Sequence, residues 1–582
     1  MRIEKILDAL ASQAIATVLE TDAPALVRPT QHASHGDYQV NGVLPLAKRL
    51  SKNPRELAAP VAAHLAEDPR IASAEVAGPG FINLRVSETW LAELLREAWA
   101  DKAREGIDPA EHQETIVVDY SSPNIAKQMH VGHLRSTIIG ASLVELHRAL
   151  GHHVIADNHL GDWGTQFGLM IVGIREYGDE EKLASEPLEE LLRVYTVAND
   201  RAKNEPAFAE AARSELAKLQ SGDADNLALW KRTVALSKTA LEGVYDRLGV
   251  SFDEWLGESA YNDRLAGVVE QLKDAGLARE DQGAICVFFN ELEGADPKLK
   301  KREVPFIVQK GDGAFLYSTS DIATVQYRRE RWNADRALYV VDKRQGDHFT
   351  QLFEVVRLLG ETMKLEHVGF GTVMGDDGKP IRTRDGGALL LTALLDEAEE
   401  RAERKMIEEL GLDAELARSL RSVIGIGAVK YADLMQNRTT DYKFDWDKLI
   451  AFNGNAGPYN QYTHARLCSI LRTAEEGGVV FDPGAAALPS PITLDHPAER
   501  TLALRLVRFG DAVRAAADGN LPHLVAEHVY NLASEGAAFY TQCPVLKSES
   551  PLRESRLALV DLTRRQLAKG LALLGIGAPD RM

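Results

Sequence analysis

The chain has 582 residues, 45% hydrophobic and 26% charged, an ordinary globular composition too long for one core, so three or four domains are expected. A formal net charge of -19 argues against a sequence-blind nucleic-acid binder, which is usually basic, though a local basic face stays possible. Cys286, Cys468 and Cys543 are too scattered for a disulfide framework and lack zinc-ligand spacing.

In chain order, residues 3–19 carry a helical pattern whose charged start is neither signal peptide nor membrane anchor. The turn-rich His35-Gly36-Asp37-Tyr38 follows, then a second helical stretch over 54–66. Residues 71–86 alternate like strands around Gly78-Pro79-Gly80, and the polar segment 98–113 reads as a linker helix. Residues 1–110 thus form a small α+β domain.

Thr115-Ile116-Val117-Val118-Asp119-Tyr120 is a β-branched run suited to a strand buried on both faces. Ser121-Ser122-Pro123 breaks it, a helix is expected over 133–150 with Gly151 as its C-cap, and 153–157 is a second strand. Strand, helix, strand is a βαβ unit, which implies a Rossmann-like parallel sheet in an α/β domain over 111–395. Residues 171–300, with long helical patterns such as 227–248, read as a helical insertion. Strand signals return at 304–308, 315–317 and 337–341. Residues 396–582 are all-α, apart from a Gly/Pro-rich loop over 476–491. No apolar run approaches the ~20 residues that span a bilayer.

Ligands of open α/β sheets bind beyond the carboxyl ends of the strands, where residues 119–135 lie. His130 and His133 are three apart, so on a first helical turn they project to one side and can donate hydrogen bonds to phosphate oxygens. Gly132 lets a flat base or ribose approach, a helix N-terminus favours phosphate, and Lys127 adds a mobile positive charge. A chance His-x-Gly-His and a metal pair are the alternatives; helical zinc motifs more often use i,i+4 spacing and need further ligands. Placement after a buried strand, beside Asn124 and Lys127, favours nucleotide chemistry, and no metal site is expected.

The segment 121–137, with Ser121-Ser122-Pro123-Asn124-Ile125-Ala126-Lys127 and His130-Val131-Gly132-His133-Leu134-Arg135-Ser136-Thr137, resembles the signature of arginyl-tRNA synthetases, class I enzymes of bacterial type. Residues 157–168 resemble the family's next block, 455–466 its anticodon-domain signature, and Pro579-Asp580-Arg581-Met582 its ending, so the resemblance spans essentially the whole chain. It implies activation of arginine with ATP and Mg²⁺, then transfer to tRNA(Arg). The N-terminal domain would read the D-loop and the C-terminal bundle would bind the anticodon. A cytoplasmic monomer with no membrane contact is expected.

A guanidinium has five donors and a permanent charge, so its pocket needs carboxylates. The resemblance gives Tyr317 and Asp321 to the guanidinium side, and Asp119, Asn124 and Gln345 to the remaining arginine contacts. Taken singly, Asp321 reads as an N-cap, Tyr317 as core and Gln345 as an ordinary loop residue. The second phosphate loop of class I enzymes corresponds to residues 374–387, whose Lys379, Arg382 and Arg384 would contact ATP; a surface hairpin at Asp377-Gly378 is the plainer alternative. Asp385 stands where the family pattern has its second lysine, and Lys127 fits the substitute role. For tRNA, Phe81 and Asn83 would take a D-loop base and Tyr459 and Tyr462 would stack on anticodon bases, with a β-turn beside a core Phe and buried core tyrosines as the alternatives. Glutamyl or glutaminyl pockets would need Arg or Lys where Asp119 and Asp321 stand, a cysteinyl enzyme would need zinc ligands, and an inactive paralogue should have lost His130, His133 or Lys127.

Overall fold

Thr115–Asp119 (β1) is buried on both faces because it is the central strand of a five-stranded sheet. The protein is described by a computed structural model covering residues 2–30, 33–164, 166–375, 377–379, 381, 389–485, 487–488 and 491–582. After β1 come helix α1 (Val131–Ala149), β2 (His153–Leu160) and β3 (Glu254–Gly257). Gly151 takes φ 85° just beyond α1, and the amides of Gly151 and His152 bond back to Arg148 and His147, the left-handed ending expected of it. The chain then crosses to the other side of β1 to build helix α2 (Tyr317–Trp332), β4 (Arg336–Tyr339), helix α3 (Gly346–Leu358) and β5 (Lys364–His367). All four pairings are parallel and the spatial order is β5-β4-β1-β2-β3. The direction of winding reverses between β1 and β4, so the ligand crevice opens at the ends of those two strands.

Several elements differ from the sequence expectation. β3 lies inside the span read as a helical insertion: Glu-Trp-Leu-Gly is half-buried and too short to show a period. The helices of this span include Gln166–Tyr177, Pro187–Asn204, Pro206–Gln220, Ala224–Leu248 and, beyond β3, Asn262–Asp274. The strand signal at 304–308 is real, but Phe306–Gln309 joins a small antiparallel sheet with Ala284–Val287 and Arg279–Asp281. Phe315–Tyr317 is not a strand. Phe315 makes an isolated bridge to Gln309, Leu316 is extended, and Tyr317 already opens α2. The linker helix lies earlier than expected, at Glu88–Ala100, where the Ser87 hydroxyl caps it by accepting from the Trp90 amide.

Residues 111–405 and 436–447 form one compact unit; 1–110, 406–435 and 448–582 form the other. Residues 436–447 join the first unit because Tyr442–Lys443 pairs in parallel with Val373–Met374. In the second unit a four-stranded antiparallel sheet, with Ile71–Ala77 and Phe81–Val86 as its longest strands, packs with helices Ile3–Leu19 and Pro54–Leu65. This small module is fastened to the C-terminal helices by buried charge. Arg500 donates to both Asp37 oxygens at 2.9 and 2.7 Å and to the Val86 carbonyl, and Arg508 donates to the Asp37 carbonyl. The terminal segment lies along helix Gly457–Glu476, with Gln461 donating to the Gly577 carbonyl and Arg472 to that of Asp580.

Arg500→Met would strand the Asp37 carboxylate in a buried site, a loss of about 3–5 kcal/mol for a broken buried pair. Faster amide exchange is expected across Tyr38–Val40 and Phe81–Val86; unchanged exchange there would remove the pair from this role.

Candidate active site

The turn that leaves β1 is strained. Ser121, Ser122 and Ala126 adopt φ of 72°, 47° and 62°, a region that costs non-glycine residues of order 1–3 kcal/mol each. Hydrogen bonds hold them there. The Ser121 amide donates to Ser136 Oγ, and the Ser121 hydroxyl meets Thr137 and Tyr245 at 2.8 and 2.7 Å. The Ser122 amide donates to Asn158 and that of Ala126 to Ser237. The turn lays Asn124 against Gly161, where a Cβ would come within 2.4 Å of Asn124 Oδ1.

α1 starts immediately beyond this turn, and its first residues are the histidine motif. His130 is the N-cap, and its Nδ1 accepts from the Gly132 amide at 3.0 Å. The His130 amide donates to His133 Nδ1 at 3.2 Å, closing a reciprocal capping box. A backbone N–H only donates, so both Nδ1 atoms are unprotonated acceptors, and the neutral rings carry their protons on Nε2. The rings lie 4.1 Å apart. A Cβ on Gly132 would fall 2.6 Å from His130 Cε1, so only glycine admits the folded-over imidazole. Burial, reinforced by the charge of Lys127, holds the His130 pKa below its usual value. Burial, the neighbouring His130 and Lys127 push His133 down to about 4. Lys127 itself is exposed.

Beside the motif, a cavity of about 380 Å³ opens between the ends of β1 and β4. Four carboxylates line it, Asp119, Glu258, Asp321 and Asp342, and no lysine or arginine does so among the described residues. Asp321 is the fifth residue of α2, too far along to cap it; its Oδ2 instead meets His348 Nε2 at 2.7 Å. Tyr317 is 62% exposed, which removes the core reading, and its ring stands edge-on to His348 with centroids 4.8 Å apart. Asn124 and Gln345 also line the cavity. Asp119 does too, but its Oδ2 accepts from Arg328 at 2.6 Å and its Oδ1 from the Ser122 hydroxyl at 3.1 Å. The cavity therefore brings together Asp119, Asn124, Gly132, His133, Tyr317, Asp321 and Gln345 from the sequence expectation.

Sequence reasoning missed Glu258 and His348. Burial raises the Glu258 carboxyl to about 7, opposed by His159 and assisted by Asp321. Glu258 follows the unrecognised strand β3, so nothing local marks it. Asp119, Asp157 and His159 lie close enough to hold an ion, but one guanidinium nitrogen of Arg328 already bonds both carboxylates, so the cluster does not fit a cation.

In the second loop, the Gly375 amide donates to the Lys379 carbonyl and Gly378 takes φ 70°, a tight turn that leaves Lys379 exposed. Arg382 and Arg384 lie outside the described residues. In the other unit, Phe81 opens its strand half-buried after the Gly78-Pro79-Gly80 turn, and Asn83 Oδ1 accepts from Gln39 at 2.8 Å. Half-buried Tyr459 and Tyr462 line a cavity of about 90 Å³ with Phe452, Tyr540 and Arg466, whose guanidinium stacks 5.1 Å over the Tyr540 ring.

The family model for tRNA synthetases class I (R), catalytic domain, matches residues 95–446; the arginyl tRNA synthetase N terminal domain matches 2–86 and the DALR anticodon binding domain 460–582. The chain is 44% identical to the arginine–tRNA ligase of Alcanivorax borkumensis over 592 residues, covering 100% of this chain and 99% of that one. It is also 44% identical to that of Laribacter hongkongensis, covering 99% of each. Among solved structures it is similar to Thermus thermophilus arginyl-tRNA synthetase (TM-score 0.81, 25% identity, 100% of each chain). The Plasmodium falciparum arginyl-tRNA synthetase matches with TM-score 0.82 and 27% identity, covering 100% of this chain and 99% of that one.

A histidine whose folded pKa lies below its unfolded one binds a proton in the unfolded chain first. The cost of keeping His133 neutral is therefore absent above pH 6.5 and grows as pH falls toward about 4. Histidine-selective NMR is expected to show His133 as the Nε2–H tautomer at pH 6–8, titrating near 4. An ordinary titration near 6.5 would contradict the capping arrangement.

Proposed function

The chain belongs to the arginyl-tRNA synthetase family, and from that premise we propose which of its residues carry the family's two reactions. The protein activates L-arginine with ATP, releasing pyrophosphate, and transfers the arginyl group to the terminal adenosine of tRNA(Arg). The observation that carries the substrate assignment is the cavity at the sheet's switch point, lined among the described residues by four carboxylates and no lysine or arginine. Such a lining suits a guanidinium and repels an acidic amino acid.

In this proposal Tyr317 and Asp321 take the guanidinium, with His348 fixing the Asp321 carboxylate. Asp119, Asn124 and Gln345 take the α-amino end. The arginine carboxylate attacks the α-phosphorus of ATP in line; the bond to the bridging oxygen breaks and pyrophosphate leaves. Positioning and charge neutralisation carry such a step. The Nε2–H groups of His130 and His133 donate to the phosphoryl oxygens as negative charge builds, and neutral imidazoles do so without having to give up a proton. Gly132 leaves room for the nucleoside. Lys127 neutralises the triphosphate, and Lys379, Arg382 and Arg384 are its further contacts by resemblance to the family. Mg²⁺ arrives with ATP as its counter-ion, since the Asp119–Asp157 cluster is taken by Arg328. In the second step the 2′-hydroxyl of the terminal adenosine attacks the adenylate carbonyl, and AMP leaves.

Phe81 and Asn83 would contact the D-loop, and Tyr459 and Tyr462 anticodon bases, supported by the aromatic cavity around the two tyrosines. The domains proposed are residues 1–110, 111–395 and 396–582. No described helix is long and apolar enough to cross a membrane. A cytoplasmic monomer completes the proposal.

ATP–pyrophosphate exchange with purified protein is expected to need tRNA and to prefer arginine over every other amino acid; preference for another would overturn the substrate assignment. Lys127→Ala is expected to lower the activation rate about a hundredfold, the scale for one lost transition-state donor, with little change in tRNA affinity. Near-normal turnover would free Lys127 of its role.

A further inference from the structure

α2, which presents Tyr317 and Asp321 to the cavity, carries Arg328 two turns beyond Asp321. Arg328 is 0% exposed. Its Nη2 donates to Asp119 Oδ2 at 2.6 Å and to Asp157 Oδ2 at 2.7 Å. Its guanidinium lies 5.1 Å from the Tyr339 ring centroid. Tyr339, Asp119 and Asp157 are register partners in a row across β4, β1 and β2. One side chain from α2 thus gathers the facing residues of three adjacent strands, at the edge of the crevice.

We propose that Arg328 is a positioning residue for amino-acid activation, holding the Asp119 carboxylate at the cavity and locking α2 to the strand ends, so that Asp119, Tyr317 and Asp321 meet one arginine together. This presupposes the contact of Asp119 with arginine proposed above. Arg328 has a second effect through charge. Two buried carboxylates facing each other without a cation cannot both stay ionised, and one takes up a proton. Burial already pushes the Asp157 carboxyl upward. The pair carries one net negative charge whether a guanidinium or a shared proton sits between its carboxylates. What Arg328 fixes is where that charge lies, since a hydrocarbon in its place would let the shared proton sit on either carboxylate and leave both free to turn away.

The test is tRNA-dependent ATP–pyrophosphate exchange on the full chain carrying Arg328→Met, Arg328→Lys, Asp119→Asn, or Arg328→Met together with Asp157→Asn. Arg328→Met is expected to raise the KM for arginine by at least about tenfold, the factor for one charge-assisted hydrogen bond, while the KM for ATP stays within about twofold. Arg328→Lys, which keeps the charge on a shorter side chain that must reach both carboxylates with one nitrogen as Nη2 does, should fall between wild type and Arg328→Met. Adding Asp157→Asn to Arg328→Met should recover part of the arginine KM, because Asp119 then faces no second carboxylate; a merely structural role predicts no such recovery. An unchanged arginine KM, or equal rises in both KM values, overturns the proposal. If Arg328→Met does not fold, Arg328→Lys decides alone: a rise confined to the arginine KM supports positioning and its absence overturns it. Asp119→Asn separates the two ideas. If it leaves the arginine KM unchanged, the contact of Asp119 with arginine falls and the proposal with it. If it raises that KM while the Arg328 variants do not, positioning by Arg328 alone falls.

Discussion

Asp119 ends the central strand with both carboxylate oxygens already engaged, one by Arg328 and one by Ser122. A site for a cation needs ionised carboxylates in a partly dry cavity, and isolated buried carboxylates respond by taking up protons. Glu258 shows the tendency, with its carboxyl raised to about 7 by burial. The chain counters it with partners that hold a carboxylate without covering it: Arg328 behind Asp119, and His348 beside Asp321. Arg328 does not line the cavity and holds Asp119 from behind, whereas His348 lines the cavity beside Asp321.

The nucleotide side follows the opposite logic. No buried cation waits for phosphate among His130, Gly132 and His133. In the proposed site a helix N-terminus and two imidazole donors take that part, and both depend on one device. The reciprocal cap satisfies backbone donors that any helix start leaves open. In doing so it consumes both Nδ1 atoms and fixes both protons on Nε2. Helix stability and donor orientation are therefore the same hydrogen bonds, and the strained turn at Ser121, Ser122 and Ala126 puts that cap at the end of β1.

How much of this is legible in sequence depends on range. β1, α1 and β2 are legible because a β-branched run, a breaker, a helical period and Gly151 are local signals. β3 is not, since its four residues carry no period and gain strand character only from β2 beside them. Phe315-Leu316-Tyr317 misleads for a related reason: three apolar residues look alike whether they bridge to Gln309 or open a helix. Among site residues, Asp321 and Tyr317 stand out only through resemblance, because their alternatives, a cap and a core ring, are removed only once the start of α2 and the exposure of Tyr317 are known. Arg328 leaves no local trace, because an arginine within a helix is usually a solvated one and its two aspartates lie 209 and 171 residues away.

Charge alone also falls short of selecting arginine. Four carboxylates would attract lysine as well, and more strongly hydrated cations pay more to enter. Discrimination requires that a planar fork find acceptors at fixed positions, which makes rotational freedom of the carboxylates the quantity to suppress. Asp321, on the guanidinium side of the proposal, is held by His348, and His348 in turn packs against Tyr317, Phe306 and Phe349. A point-charge ammonium gains little from such fixed geometry, whereas a guanidinium gains a hydrogen bond at each oxygen it was shaped to meet. In the proposed site, specificity would thus come less from the overall acidity of the chain than from the rigidity of a few acids, imposed by their neighbours.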